Sequence, residues 1–318
     1  MPPTPDRIAF AETKKRPVLP KPTFRDAKCG ITLFEGNCLE ILAAFPAEFV
    51  DLIFADPPYF LSNGGITCQN GRMVSVNKGA WDRSRGPDAN HEFNSKWLAA
   101  CQRVLKPNGT IWVSGTSHVI HSVGFAMQQL GFKLLNDISW VKPNPPPNLS
   151  CRYFTHATET IIWAAKNQKS RHKFHYQEMK REANGKQMQS VWRMYPPERE
   201  EKLFGKHPTQ KPLALLDRIL RASSDPDDLV LDPFAGSGTT AVAALRAARR
   251  FVGIEIDSQW LDVSERRLDQ ERKRGKAQVG TDPARGPMEQ QKASLVGTEV
   301  RRVIRSANAA SALAPTVP

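Results

Sequence analysis

The chain has 318 residues, 40% of them hydrophobic, and a formal net charge of +13. That length suits one large α/β domain or two small ones. No stretch approaches the ~20 apolar residues of a membrane span, and the Pro- and Lys/Arg-rich opening holds no signal-peptide core. The five cysteines (Cys29, Cys38, Cys68, Cys101, Cys151) are scattered, with no C-x-x-C and no Cys/His pair at zinc spacing. This usage predicts a reduced cytoplasmic protein with no metal.

Residues 1–27 read as a flexible basic arm. From Gly30 the pattern becomes α/β, with a strand at Ile31–Phe34 and a short helix at Cys38–Ala44. The apolar run Val50–Ala55 reads as a buried parallel strand ending in Asp56-Pro57-Pro58-Tyr59. Proline fixes φ and has no N–H, so this stretch is rich in acceptors. A carboxylate and carbonyls beside an aromatic ring suit a planar ring that carries an exocyclic amino group.

Residues 60–95 are Gly-, Ser- and Asn-rich without a strong period, and they predict a mobile lid or binding loop. An amphipathic helix is expected over Phe93–Leu105, stopped at Lys106-Pro107-Asn108-Gly109. A strand at Thr110–Val113, a helix at Val119–Leu130 and strands at Asp137–Val141 and Thr160–Ala164 follow. Residues 166–206 lose periodicity while remaining basic and aromatic. The charge excess is local: residues 142–211 hold 14 basic and 6 acidic side chains, against 9 of each in residues 28–141. A basic block between neutral flanks is the footprint of a polyanion-binding surface.

A helix at Pro212–Ala222, a strand at Leu229–Leu231, a helix at Gly238–Ala247, a strand at Phe251–Ile254 and a charged helix at Trp260–Arg274 complete the pattern. Residues 276–318 read as a largely disordered tail. The alternation predicts a doubly wound, mostly parallel sheet with ligands at the carboxyl ends of its strands. Asp232-Pro233-Phe234-Ala235-Gly236-Ser237-Gly238-Thr239 joins a strand to a helix through a glycine turn. Such a turn permits close approach of a ligand to the backbone. It lacks the Gly-Lys-Ser/Thr ending of a phosphate loop. Glu255 stands about 20 residues on, where a ribose diol is bound in such folds. A nucleoside without pyrophosphate follows, S-adenosyl-L-methionine rather than a dinucleotide. In His207-Pro208-Thr209-Gln210-Lys211-Pro212, Thr209 can cap the next helix, with Lys211 near a bound carboxylate.

With these motifs in this order, the chain resembles the permuted β-class amino-directed DNA methyltransferases of bacteria over roughly residues 30–275. The order Asp56–Tyr59, Trp140-Val141-Lys142-Pro143-Asn144, His207–Pro212, then Asp232–Gly238 carries the resemblance. It implies a Rossmann-like catalytic domain over 28–275 with a target-recognition region at 142–206. It also implies S-adenosyl-L-methionine as methyl donor and double-stranded DNA as partner. Asp56, Pro57 and Pro58 then form the shelf for the target amino group, and Tyr59 stacks on a flipped base. Asp56, Asp232, Phe234, Ala235, Gly236, Ser237, Gly238, Thr239, Glu255, His207, Thr209 and Lys211 surround the cofactor, with Asn37 and Cys38 near its adenine. Lys78, Arg83, Lys142, Arg152, Lys173 and Arg193 are expected to contact DNA, and Trp81 either stacks there or anchors the loop 60–95. Asp at the first position favours adenine N6 over cytosine N4. A homodimer and a cognate restriction endonuclease are further expectations, with an RNA methyltransferase or an inactive DNA-binding homologue as the rival readings.

Overall fold

The computed structural model describes residues 18–62, 66–69, 72–75, 79–205 and 207–279. In chain order, β1 (Phe24–Asp26), β2 (Ile31–Glu35), α1 (Cys38–Ala44) and β3 (Val50–Ala55) lead to a hairpin of β4 (Ile66–Gln69) and β5 (Arg72–Ser75). Next come α2 (Pro87–Val104), β6 (Leu105–Gly115), α3 (Ile120–Gln129), β7 (Lys133–Val141) and β8 (Thr158–Ala165). Then follow α4 (Tyr176–Glu182), β9 (Val191–Arg193), α5 (Leu213–Ser223), β10 (Leu229–Asp232), α6 (Thr239–Arg246), β11 (Arg250–Glu255) and α7 (Ser258–Val279).

Nine strands form one sheet in the order β1-β2-β11-β10-β3-β6-β8-β7-β9. From β2 to β6 every neighbouring pair is parallel. β8 runs against both β6 and β7, and β9 is parallel to β7. The expected sheet is therefore present, with β1 and β8 as its antiparallel members. Successive residues on a strand face opposite sides, and each side needs its own cover. Ile53, Ile111, Leu231 and Ile254 pack with α1, α2 and α3 residues such as Leu42, Trp97 and Val123. Leu52, Trp112, Val230 and Phe251 pack with α5, α6 and α7 residues such as Leu216, Ala243 and Leu268.

Several boundaries differ from the sequence reading. The arm is not irregular throughout, because β1 pairs with β2 through Phe24–Leu33 to Asp26–Ile31. α2 starts at Pro87, six residues ahead of expectation, with proline at a position whose N–H has no intrahelical partner. The loop 60–95 is thus shorter and contains a hairpin. α2 ends at Val104, just ahead of Lys106–Gly109 as expected, and those four residues form a step inside β6, where the register with β3 shifts. The region 166–206 contains α4 and β9. Residues 280–318, most of the expected tail, lie outside the described residues. Among the described residues no helix is long and apolar enough to cross a membrane.

Candidate active site

The parallel strands deliver the motifs to one edge. Pairing of Leu231 with Ile53 sets the end of β10 beside the end of β3. Asp232–Gly238 and Asp56–Tyr59, far apart in sequence, become neighbours. Glu255 pairs with Glu35 at the ends of β11 and β2, and its carbonyl accepts from Gly36 N at 2.9 Å. That brings Asn37 and Cys38 to the same edge.

A cavity of about 220 Å³ opens there. Gly36, Asn37 and Cys38, then Asp56 and Pro58, then Phe234, Gly236 and Glu255 line it, with Trp81, His207 and Thr209 opposite. A smaller space of about 30 Å³ continues behind it, past Lys211, Asp232, Ala235, Ser237 and Thr239. Phe234 is held from the core side by Trp97, whose ring meets it edge-on at 5.4 Å. Trp81 lies nearly parallel to His207 with 6.4 Å between ring centres, and His207 meets Trp260 of α7 at 4.5 Å. Trp81, expected on DNA, is therefore part of the cavity wall.

Glu255 is set by its backbone neighbours. One carboxylate oxygen accepts from Gly236 N at 2.7 Å and the other from Asp257 N at 3.0 Å. Burial raises its carboxyl above the usual range. A carboxylate offers about four acceptor positions, so acceptor capacity remains for a ligand's hydroxyl. Asn37 caps α1 by accepting from Leu39 N at 2.9 Å. Cys38 is buried, and burial pushes its thiol up to about 12, leaving an inert apolar lining.

The glycine turn has two different parts. Gly236 (φ +51°) borders the cavity, where an added Cβ would come 3.4 Å from the His207 ring. Gly238 (φ +74°) faces α7, where a Cβ would sit 2.7 Å from Ser264 Oγ. Gly238 is thus required by packing, which corrects its expected contact with the cofactor. Asp232 is also structural: it accepts from Phe234 N at 2.9 Å and from Thr240 Oγ1 at 2.6 Å. Burial pushes its carboxyl up to about 7. Ser237 and Thr239 are tied from behind by buried Arg267, which donates to Ser237 O at 2.7 Å and Thr239 Oγ1 at 2.9 Å.

Asp56 is clasped by three donors. Tyr59 OH at 2.7 Å and Ser114 Oγ at 2.5 Å reach Oδ1, and Lys211 Nζ at 2.6 Å reaches Oδ2. The Tyr59 hydroxyl also donates to Glu159 Oε2 at 3.1 Å. The Tyr59 ring is only 3% exposed, and burial raises its phenol well above the ordinary value. The expected open stacking face is not presented here: the ring is packed, and its hydroxyl orients Asp56. Lys211 is also buried, and donates to Thr209 O at 3.2 Å while lying 3.5 Å from Glu159 Oε2. Its three N–H donors are accounted for within the protein, which corrects its placement beside a cofactor carboxylate. Thr209 does not cap α5. Glu201 does, accepting from Leu213 N at 2.8 Å.

Three residues outside the expected set complete the site. Ser114 and Glu159 come from β6 and β8. Asp82 is fully buried and accepts from Tyr59 N, Phe60 N and Leu61 N at 2.9, 2.8 and 3.1 Å, and from Ser62 Oγ at 2.8 Å. It fixes the chain as it leaves the Asp-Pro-Pro-Tyr shelf.

A family model described as "DNA methylase" matches residues 50–266, well over half of the chain. The chain belongs to the DNA methylase family. Type II methyltransferase M2.DpnII of Streptococcus pneumoniae is 51% identical to this methylase over 255 residues, covering 80% of this chain and 94% of the relative. Type II methyltransferase M2.MboI of Moraxella bovis is 48% identical over 247 residues, covering 78% and 90%. Among solved structures, the complex of M1.HpyAVI with SAM shares 27% identity at a TM-score of 0.57, over 75% of this chain and 99% of that one.

The residues expected to touch DNA fall into separate places on the methylase. Lys78 lies outside the described residues. Arg83, Arg152 and Arg193 are exposed. Arg152 follows β7, and Arg193 ends β9, both on the site side of the sheet. Lys142 instead pairs with Glu159 and lies 4.9 Å over the Trp140 ring. Lys173 pairs with Asp225 at 2.7 Å and Asp228 at 2.6 Å. Because β8 is antiparallel, the chain that leaves it starts at the opposite edge of the sheet. Lys173 is therefore remote from the cavity, and ion-paired as well.

Proposed function

We propose that this protein transfers the methyl group of S-adenosyl-L-methionine directly to the N6 amino group of an adenine rotated out of double-stranded DNA, as a site-specific enzyme of the cytoplasm. The observation that carries this reading is the Asp56 carboxylate, pinned by Tyr59, Ser114 and Lys211 at the wall of the cavity. With three donors engaged, about one acceptor position remains on Asp56. It takes one amino hydrogen, and the Pro57 carbonyl takes the second. The amine's lone pair is then withdrawn from the ring and directed outward.

The cavity residues fit the cofactor. Glu255 keeps acceptor capacity for a ribose diol, Phe234 offers an apolar ring, and Gly236 leaves room beside the backbone. M1.HpyAVI, of similar fold, was solved with SAM bound. When bound, the cofactor supplies an electrophilic methyl group on a sulfonium that needs no acid activation. The protein's own work is alignment of the amine with that methyl. Cys38 and Cys101 are buried thiols pushed up by burial, so neither serves as a nucleophile. Rotating a base out of the duplex costs a few kcal/mol, offset by contacts at the site rim.

Asp rather than Ser at position 56 supports adenine over cytosine, and the names of the relatives support a restriction–modification setting with a cognate endonuclease. A homodimer belongs to the same reading and is checked by light scattering. For the reaction itself, the protein is incubated with labelled S-adenosyl-L-methionine and mixed-sequence duplex DNA, which is then digested to nucleosides. Label is expected in N6-methyladenine. Label only in N4-methylcytosine overturns the adenine assignment, and label in RNA but not DNA overturns the substrate class.

A further inference from the structure

Behind Asp56 four opposite charges alternate: Lys142, Glu159, Lys211, Asp56. Glu159 is the second residue of β8, whose reversed direction brings its amino end to the carboxyl ends of the parallel strands. Lys142 binds Glu159 Oε1 from the end of β7. Lys211 Nζ lies 2.6 Å from Asp56 Oδ2 and 3.5 Å from Glu159 Oε2. The Tyr59 hydroxyl also bridges the two carboxylates, at 2.7 Å and 3.1 Å. Two carboxylates thus share one ammonium and one hydroxyl proton.

Glu159 is buried, and a buried carboxylate without partners is expensive. Burial alone would raise its carboxyl, but Lys211 and Lys142 hold it down at about 2, so it stays charged. Among the described residues it does not line the cavity, so it has no direct ligand contact to explain it. Its contacts point back to Asp56. In a medium of low effective dielectric, a lone ammonium 2.6 Å from Asp56 would draw that carboxylate's charge onto itself. A second anion on the same ammonium divides that pull. The shared Tyr59 proton ties the Asp56 rotamer to a strand rather than to a loop.

We propose that Glu159 is the positioning residue for Asp56: by sharing Lys211 and Tyr59 it keeps the Asp56 carboxylate strongly accepting and fixed in direction toward the target amine. This deepens the methyl-transfer reading and rests on it.

The test uses the full chain with three variants, Glu159→Gln, Lys211→Met and both together. It measures kcat with saturating DNA and S-adenosyl-L-methionine, cofactor binding by calorimetry, and thermal melting. For Glu159→Gln, kcat falls about a hundredfold, the scale of losing one preorganised electrostatic group, while the cofactor Kd stays within about threefold. The double variant is no slower than the worse single one, because residues acting as a unit are non-additive. A Glu159→Gln kcat within threefold of wild type overturns the proposal. So does a double variant whose loss is the product of the two single losses. Should Glu159→Gln fail to fold, Glu159→Asp carries the test. It keeps the charge but shortens the reach by one methylene, and kcat falls about tenfold at unchanged KM, a misplacement cost. A wild-type kcat there overturns the proposal equally. If the wild-type protein itself transfers no methyl to DNA, the functional reading fails. If wild type and Glu159→Gln transfer alike, only the role of Glu159 fails.

Discussion

The two glycines of the cofactor turn make opposite demands, and alanine separates them. Gly238 has φ +74°, and an added Cβ would lie 2.7 Å from Ser264 Oγ, 2.8 Å from Ser264 Cβ and 3.1 Å from the Ser264 backbone. Left-handed backbone costs a non-glycine residue roughly 1–2 kcal/mol, and the overlap with α7 adds about 1–3 kcal/mol of overpacking. Ser264 cannot retreat easily, because its hydroxyl donates to Gly236 O at 2.9 Å. A loss near 3 kcal/mol lowers Tm by about 6–12 °C, at roughly 2–4 °C per kcal/mol for a domain of this size. Gly236 shares the backbone strain at φ +51°, but its added Cβ would meet only the His207 ring, at 3.4 Å, on the cavity side. Gly236→Ala should therefore lower Tm by only a few degrees, roughly the backbone term alone, while S-adenosyl-L-methionine binds about tenfold or more weakly, some 1.4 kcal/mol. Differential scanning fluorimetry and calorimetric titration of the two variants give the comparison. If Gly238→Ala melts like wild type yet loses cofactor affinity, the assignment of Gly238 to helix packing is wrong.

Further outcomes follow from the same geometry. Asp82→Ala strands three backbone N–H groups that now bond to its carboxylate; at about 1–3 kcal/mol for each group left unsatisfied, Tm drops by 10 °C or so, with methyl transfer lost. An unchanged melting curve would remove Asp82 as the anchor of the shelf. Asp232 has its folded carboxyl raised to about 7 from an unfolded value near 3.8. Its contribution is fully present below the unfolded value and is lost as pH rises through about 7. Urea melts from pH 5 to 8.5 should show wild type losing stability relative to Asp232→Asn as pH rises, and a constant difference would refute the burial argument. Arg152→Ala should weaken DNA binding and lower the salt slope by about one, whereas Lys173→Ala changes neither. Equal effects of both substitutions would contradict their placement at opposite edges of the sheet.

Much of the fold was legible because each central strand is a short apolar run ending in a polar motif, and each motif marks a strand's carboxyl end. Val50–Ala55 before Asp56 and Leu229–Leu231 before Asp232 are the clearest examples. The direction of β8 was not legible: the run Thr160–Ala164 has the same pattern whether parallel or antiparallel, since side chains alternate with period two in both. Glu159 was missed for that reason, although an acid just ahead of a fully buried run was a usable signal. The placement of Lys173 on DNA failed on the same point. Tyr59 illustrates a different limit. Residue type gave an aromatic beside a carboxylate, but only packing reveals that the hydroxyl, not the ring face, meets Asp56. The hairpin of β4 and β5 did have a local signal, the Asn70-Gly71 pair in the sequence between them.

The reversal at β8 also reshapes the basic region. A polyanion surface continuous over 142–206 would need that chain to stay on one edge of the sheet. Instead it leaves the site side along β8, turns through 166–190 at the far edge and returns along β9. Two separated stretches lie at the site end of the sheet: 142–157 after β7, and 194–205 with 207–212 after β9. The first carries Arg152 with Tyr153 and Phe154, the latter 96% exposed, and the second carries Tyr195, also exposed. Of the seven cations in 166–190, two are spent on carboxylates of the protein: Lys166 on Glu48 at 2.7 Å, and Lys173 on Asp225 and Asp228. Charge counted along the chain therefore overstates the cationic surface near the cavity. Among the described residues, exposed Arg152 and Arg193 and open aromatic rings remain there, a combination that suits phosphate contact and base stacking under the proposed function.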